Sequence, residues 1–233
     1  MTSVAVIVPV LDDLEELDRL LRSLQTLRPG PAEVIVVDGS TSRSAQTITA
    51  AHGARYLSTQ AGRGHQLHQG ACLAQSAVLW FLHADAEIAG DAITQIDAAV
   101  AHGAVGGWFH FAFRGPTALR KLLLAALINA RCRFGGLPYG DQGLFVHSVA
   151  YKAVGGFPAW PLFEEVPLVR ALRRHGRFSG LSTSIGVSPR RWERDGWWRR
   201  TLLNRALALG HALGVSPQRL ASWYRGAITS RDR

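Results

Sequence analysis

Val78-Leu-Trp-Phe-Leu-His-Ala-Asp-Ala-Glu87 decides how this chain is read. Val78 to Leu82 is an unbroken apolar run, short enough for a strand and continuous enough to be buried on both faces. Polarity then changes abruptly at His83-Ala84-Asp85-Ala86-Glu87. In an open parallel sheet, ligands sit just beyond the carboxyl ends of the strands. A buried strand that delivers Asp85 to that edge is a candidate for holding a cation and a phosphate. A carboxylate that merely caps a turn gives the same local pattern, so the neighbouring segments must decide.

They supply a repeating order. Val4 to Val10 is a β-branched strand that Pro9 is expected to end. Leu14, Leu17, Leu20, Leu21, Leu24 and Leu27 have helical spacing, with Asp12 or Asp13 as the cap. Arg28-Pro-Gly-Pro31 breaks that helix. Glu33 to Val37 reads as a buried strand ending at Asp38, Ser44 to His52 as a helix, and Arg55 to Ser58 as a short strand. Gly62-Arg-Gly64 opens a helix to about Gln75. The order β-α-β-α-β-α-β predicts a parallel, Rossmann-like α/β sheet flanked by helices. Three acids, Asp12, Asp38 and Asp85, then fall at strand ends on one edge and converge on one crevice.

Beyond the helix Asp91 to His102 the pattern becomes irregular. An aromatic strand, Trp108 to Phe113, precedes an amphipathic helix, Leu119 to Phe134, with Arg120, Lys121, Arg131 and Arg133 on a basic side. Gly135 to Gly143 is a loop, Leu144 to His147 a strand, and Gly155 to Pro161 another loop. Glu164 to His175 is a helix with Glu164, Glu165 and Pro167 in its first turn. No linker or repeat is visible. The economical organisation is one domain, 1–233, with a nucleotide-binding-like half to about residue 103 and a more irregular half beyond it.

Composition bounds the function. The chain is 47% hydrophobic and 18% charged, which suits a globular protein and excludes a disordered one. The 26 Lys+Arg against 17 Asp+Glu give net +9, so anionic partners are favoured. The basic residues are dispersed and no nucleic-acid motif appears, which argues against nucleic acid. Cys72 and Cys132 lack metal-ligand spacing, and a disulfide framework is not expected. No basic leader precedes the first strand, and the apolar stretch Leu122 to Ile128 is too short to span a bilayer. A cytoplasmic location is expected, with peripheral contact at the inner face of the membrane as an option.

Taken in order, Val6 to Asp13, Val34 to Ser40, Gly62-Arg-Gly64, Phe81 to Asp85, Gly136-Leu-Pro-Tyr-Gly-Asp-Gln-Gly143 and Phe163-Glu-Glu-Val166 resemble the family-2 glycosyltransferases of the GT-A fold. The similarity is closest to small soluble bacterial members carrying the GLPYGDQG segment, and it runs from about residue 3 to 225. The resemblance implies that Pro9 and its neighbours, Asp12 among them, line the nucleotide pocket. It implies that Asp38 meets the base, expected to be uracil, and that Arg63 lies near base or phosphates. Asp85 matches the second acid of the family's D-x-D motif and would hold Mg²⁺ or Mn²⁺. Glu165 would be the general base. Tyr139, Asp141, Gln142 and Glu164 would sit on the acceptor side. The chain departs from the pattern at four places: His83 replaces the first acid of D-x-D, Asp12 an Asn, Glu165 an Asp, and Pro167 an acid. His83 would touch the ribose or the metal, or simply pack.

These roles make chemical sense. A diphosphate leaving group gains charge as the sugar bond breaks, and a divalent cation offsets it. Direct inversion through an oxocarbenium-like state needs a base on the opposite face. Arg190, Arg191 and Trp192 are placed to close over diphosphate or acceptor. Trp197 and Trp198, beside Arg199, Arg200 and Arg205, read either as an interfacial anchor or as a packing face. A helix begins at Ser216-Pro217. The expectation is a metal-dependent inverting glycosyltransferase using a UDP-linked sugar and an unspecified acceptor. A nucleotidyltransferase and a degenerate nucleotide-binding or membrane-surface module are the alternatives.

Overall fold

The computed structural model describes residues 1–229. Its strands are β1 (Val4–Val10), β2 (Glu33–Asp38), β3 (Arg55–Ser58), β4 (Val78–Phe81), β5 (Glu87–Ile88), β6 (Ala104–Phe113), β7 (Phe145–His147) and β8 (Arg177–Val187). They form one sheet in the order β3-β2-β1-β4-β7-β6-β8-β5, which runs through both halves of the chain. The β3-β2-β1-β4 half is parallel. β7 then pairs antiparallel with both β4 and β6, and β6 pairs parallel with β8.

The helices are α1 (Leu14–Thr26), α2 (Ala45–Ala51), α3 (Arg63–Leu73), α4 (Ala92–Ala101), α5 (Leu119–Arg133), α6 (Ser148–Ala153), α7 (Glu165–His175), α8 (Arg190–Asp195), α9 (Trp197–Ala212) and α10 (Pro217–Thr229). Alternation along β1 sorts them into layers. Val4, Val6 and Val8 face a core with Leu17, Leu20, Leu21 and Leu24 of α1 and Ile93 and Ile96 of α4. Ala5 and Ile7 face the opposite core, with Leu67 and Ala71 of α3 and Leu168, Val169 and Leu172 of α7. Each buried α1 leucine contributes about 2 kcal/mol of apolar burial, so the 3.6-residue spacing fixes which face of α1 meets the sheet. A third cluster, Phe163, Val166, Leu207 and Leu220, fastens α9 and α10 to the start of α7.

Several expectations need correction. Pro9 does not end β1; the strand continues to Val10. Ile7 accepts a hydrogen bond from Leu82 on the β4 side, and Val10 accepts one from Gly39 on the β2 side. Pro9 shares the parity of Ile7, beyond the last β1–β4 rung, so its missing N–H breaks no ladder bond. The sequence reading assigns no strand to 177–187, where β8 forms, and the first part of β8 packs against a large ring. Phe178 stacks on Trp108 at 5.4 Å, and a Cβ on Gly180 would come within 2.8 Å of the Trp108 ring. The helix over 119–134 forms, but four of its five leucines, Leu119, Leu122, Leu123 and Leu127, face outward, and Lys121 of the expected basic side is buried. Asn129 faces the sheet, accepting from Phe111 N–H at 2.7 Å and donating to its carbonyl at 2.9 Å. Cys72 is exposed, Cys132 is buried, and both are free thiols. Among the described residues no helix is long and apolar enough to cross a membrane.

Candidate active site

The chain leaves β1 toward β2 and β3 on one side and returns to β4 on the other. The crevice between the ends of β1 and β4 is therefore the switch point of the sheet, where ligands bind in open α/β folds. Asp12 and Asp13 leave it from β1, and His83 and Asp85 from β4. Asp12 is exposed, with φ 60. Asp13 is at the N-cap position of α1 and accepts from both terminal nitrogens of Arg190. Asp38 is buried one strand away. Its Oδ1 accepts from Ser40 N–H at 2.8 Å and its Oδ2 from the Tyr56 hydroxyl at 3.0 Å.

The start of α7 faces this crevice from the other side. Gly64 permits the approach. A Cβ there would lie 2.4 Å from the Pro158 carbonyl and 3.0 Å from Glu164 Cβ, so any larger residue would push α7 away from α3. Phe163 turns the chain with φ 61 and delivers Glu164 and Glu165 as consecutive buried acids, 1% and 3% exposed. Arg63 is their cation. Its Nε donates to Glu164 Oε1, and its Nη2 lies 3.7 Å from Glu165 Oε2. Oε2 of each glutamate is buried without a hydrogen bond. A helix start ordinarily favours a carboxylate, yet burial, and then the Glu164 charge, outweigh Arg63 and push Glu165 up to about 7.

A small cleft of about 120 Å³ brings together Arg63, His83, Asp85, Tyr139, Asp141, Glu165, Arg191 and Trp192. Burial holds Asp141 above the usual carboxylate range against Arg131, Arg63 and Arg191. Burial, reinforced by Arg63 and Arg191, holds His83 well below the usual imidazole range, so its ring is neutral. The Tyr139 ring lies under the Arg131 guanidinium at 4.3 Å. A larger open groove of about 430 Å³ continues outward past Asp12, Asp13, Arg190, Arg191 and Arg194. Arg190 bridges the two strand ends: it holds Asp13 and lies 3.7 Å from Asp85 Oδ2.

Pro9, Asp38, Gln142 and Glu164 do not line either space. Gln142 is fully buried. Its Oε1 accepts from the Cys132 thiol at 3.2 Å and from Tyr139 N–H at 3.3 Å, and its Nε2 donates to the Phe109 carbonyl at 3.3 Å. It fastens the Gly140–Gln142 turn behind the cleft wall. Trp192 is 7% exposed and packs edge-on against Phe113 at 5.0 Å. Sequence reasoning places Arg200 with an interfacial anchor or packing face and does not name Asn204, yet both line the cleft from α9. Arg200 is 4% exposed and donates to Asp195 at 3.2 Å and to the Tyr224 hydroxyl at 2.6 Å. Its position in a Trp-Trp-Arg-Arg run gave the look of a surface charge.

The family model described as glycosyl transferase family 2 matches residues 5–152. The chain belongs to that family. Family membership makes it a glycosyltransferase. The match takes in Asp38 and Asp85 and ends before Glu164, Glu165 and Arg190. No curated protein matches the chain in sequence. Among solved structures, it resembles glucosyl-3-phosphoglycerate synthase from Mycobacterium tuberculosis in complex with Mn²⁺ and uridine-diphosphate-glucose. The TM-score is 0.58 at 17% identity, covering 78% of this glycosyltransferase and 70% of that chain. The same synthase with Mn²⁺, uridine-diphosphate and glucosyl-3-phosphoglycerate gives 0.59 at 17%, over 78% and 70%. S. aureus TarS gives 0.61 at 19%, over 80% of this chain and 37% of that one. At these identities the likeness establishes the GT-A fold.

Proposed function

We propose that this chain transfers a sugar, with inversion, from a UDP-linked donor to an acceptor hydroxyl, and that the reaction depends on a divalent cation. The observation that carries this reading is the pairing in one cleft of Asp85 at the end of β4 with Glu165, a buried carboxylate poised near pH 7. The uridine-diphosphate and Mn²⁺ named for the mycobacterial synthase support the choice of nucleotide and metal.

The donor set fits such a cation. Among the described residues, no three His, Cys, Asp or Glu cluster to hold a metal alone. A Mg²⁺ or Mn²⁺ held by Asp85, with His83 adjacent, would take most of its oxygens from the diphosphate and water. Bound there, it supplies charge compensation to the leaving diphosphate. The protein does the rest. Glu165 accepts the acceptor's proton as its hydroxyl attacks. Arg63 keeps Glu165 from titrating higher still, and Glu164 anchors Arg63. Asp12 lines the outer groove that would take the nucleotide, and Asp38 and Pro9, which line neither space, support it from the strand ends, with Tyr56 and Ser40 holding the Asp38 carboxylate. Tyr139 and Asp141 form the acceptor wall braced by Gln142, and Arg190, Arg191 and Trp192 close over the phosphates.

The test is product analysis. UDP-sugars incubated with the protein, Mn²⁺ and a panel of hydroxyl acceptors, with water itself as the slow default acceptor, are expected to release UDP, and Glu165→Gln is expected to abolish the release. Pyrophosphate released from a nucleoside triphosphate, without UDP from any UDP-sugar, would favour nucleotidyl transfer. Neither product would favour the degenerate module.

A further inference from the structure

One surface of the C-terminal half carries a feature that sugar transfer does not use. Helix α5 exposes Leu119, Leu122, Leu123 and Leu127, all between 55% and 72%. Their spacing of one and two turns places them on one stripe. Helix α9 exposes Trp198, Leu202 and Leu209, and Leu213 is exposed just past its end. The two helices meet at their starts, where the Arg120 guanidinium sits over the Trp197 ring at 4.9 Å. The tryptophan pair is split: Trp197 packs inward on Phe113 at 5.2 Å, whereas Trp198 is 84% exposed. Neither α5, α9 nor α10 contains a single Asp or Glu. Exposed Arg120, Arg133, Arg199, Arg205 and Arg219 flank the apolar positions.

We propose that this face docks on the surface of an anionic lipid bilayer. The leucines and Trp198 enter the boundary between headgroups and acyl chains, and the arginines meet lipid phosphates. Charge selects this occupant over a second copy of the chain. A two-fold contact would set the same arginines against their own copies, and none of the three helices offers a carboxylate to offset them. Anionic headgroups offer that charge everywhere. The helices lie on the surface and do not cross, being too short and too charged. Because α9 also lends Arg200 and Asn204 to the cleft, docking holds the cleft beside the lipid. The docking stands on its own observations and does not require the transfer reading.

Co-sedimentation with vesicles tests it. The protein is expected to bind phosphatidylglycerol-containing vesicles and to bind pure phosphatidylcholine far less. Binding is expected to fall steeply as salt rises from about 0.05 to about 0.5 M. Leu123→Glu with Leu127→Glu is expected to lower partitioning on the order of 100-fold and to leave the unfolding midpoint unchanged, since both side chains are exposed. Failure to bind anionic vesicles at low salt, or undiminished binding by the double variant, overturns the proposal. A wild-type dimer that the double variant dissolves, without vesicle binding, assigns the face to self-association and overturns it equally.

Discussion

Replacing Glu165 by Gln should make the protein more stable at alkaline pH while abolishing transfer. The carboxyl is 3% exposed, and burial with the neighbouring Glu164 raises it from 4.5 to about 7. Below 4.5 the group is neutral in folded and unfolded chains alike, and its burial carries no ionic penalty. Between 4.5 and about 7 the unfolded chain releases the proton while the folded chain keeps it, so stability falls as pH rises. Above 7 both are ionised and the penalty is constant. Linkage converts the gap into about 1 kcal/mol at pH 5 and about 3 kcal/mol at pH 8. Gln fills the same space without titrating, so the variant should exceed wild type by those amounts. Urea unfolding followed by tryptophan fluorescence at the two pH values measures the difference, and the seven tryptophans give ample signal. A variant no more stable than wild type at pH 8 would refute the reasoning. It would mean that Arg63 stabilises an ionised Glu165 by more than burial costs.

Three further outcomes follow from the same geometry. Arg63→Met removes the cation shared by Glu164 and Glu165; the acid limb of the pH–rate profile should move above 7, and stability at pH 8 should fall by about 3 kcal/mol or more. Gly107→Ala should cost about 3 kcal/mol in urea unfolding, since its Cβ would lie 1.9 Å from the Ser179 carbonyl between β6 and β8. Gly53→Ala, at φ +67 with open space around it, should cost only about 1 kcal/mol; equal losses at the two glycines would contradict the packing between β6 and β8.

The parallel half of the fold was legible because its signals are local. Val4 to Val10, Glu33 to Asp38 and Val78 to Phe81 are buried by neighbours on both faces, so their apolar runs announce them. The edge acids Asp12 and Asp85 follow from strand direction alone. The rest depends on distant complementarity. Thr183, Ile185 and Val187 alternate along the end of β8, but its first part is set by its neighbour, since the Trp108 ring leaves no room for a Cβ at Gly180. α5 reads as amphipathic, yet its Asn129 faces the sheet and four of its five leucines face out. The Arg63–Glu164 contact joins residues 101 positions apart, and Arg190 meets Asp13 across 177. No periodicity encodes such pairings. The buried Gln142, within a loop rich in Gly and Pro, shows the same limit: its side chain fastens the turn to β6 instead of facing the cleft.

The central claim is that Asp85 and a divalent cation together hold a uridine diphosphate group at the switch point of the sheet. Calorimetric titration with UDP and with GDP, each with and without Mn²⁺, in wild type and Asp85→Ala, tests it directly. The account predicts that Mn²⁺ tightens UDP binding at least about tenfold, that GDP binds more weakly, and that Asp85→Ala loses the Mn²⁺ increment. UDP affinity indifferent to Mn²⁺, or an increment retained in Asp85→Ala, would contradict it.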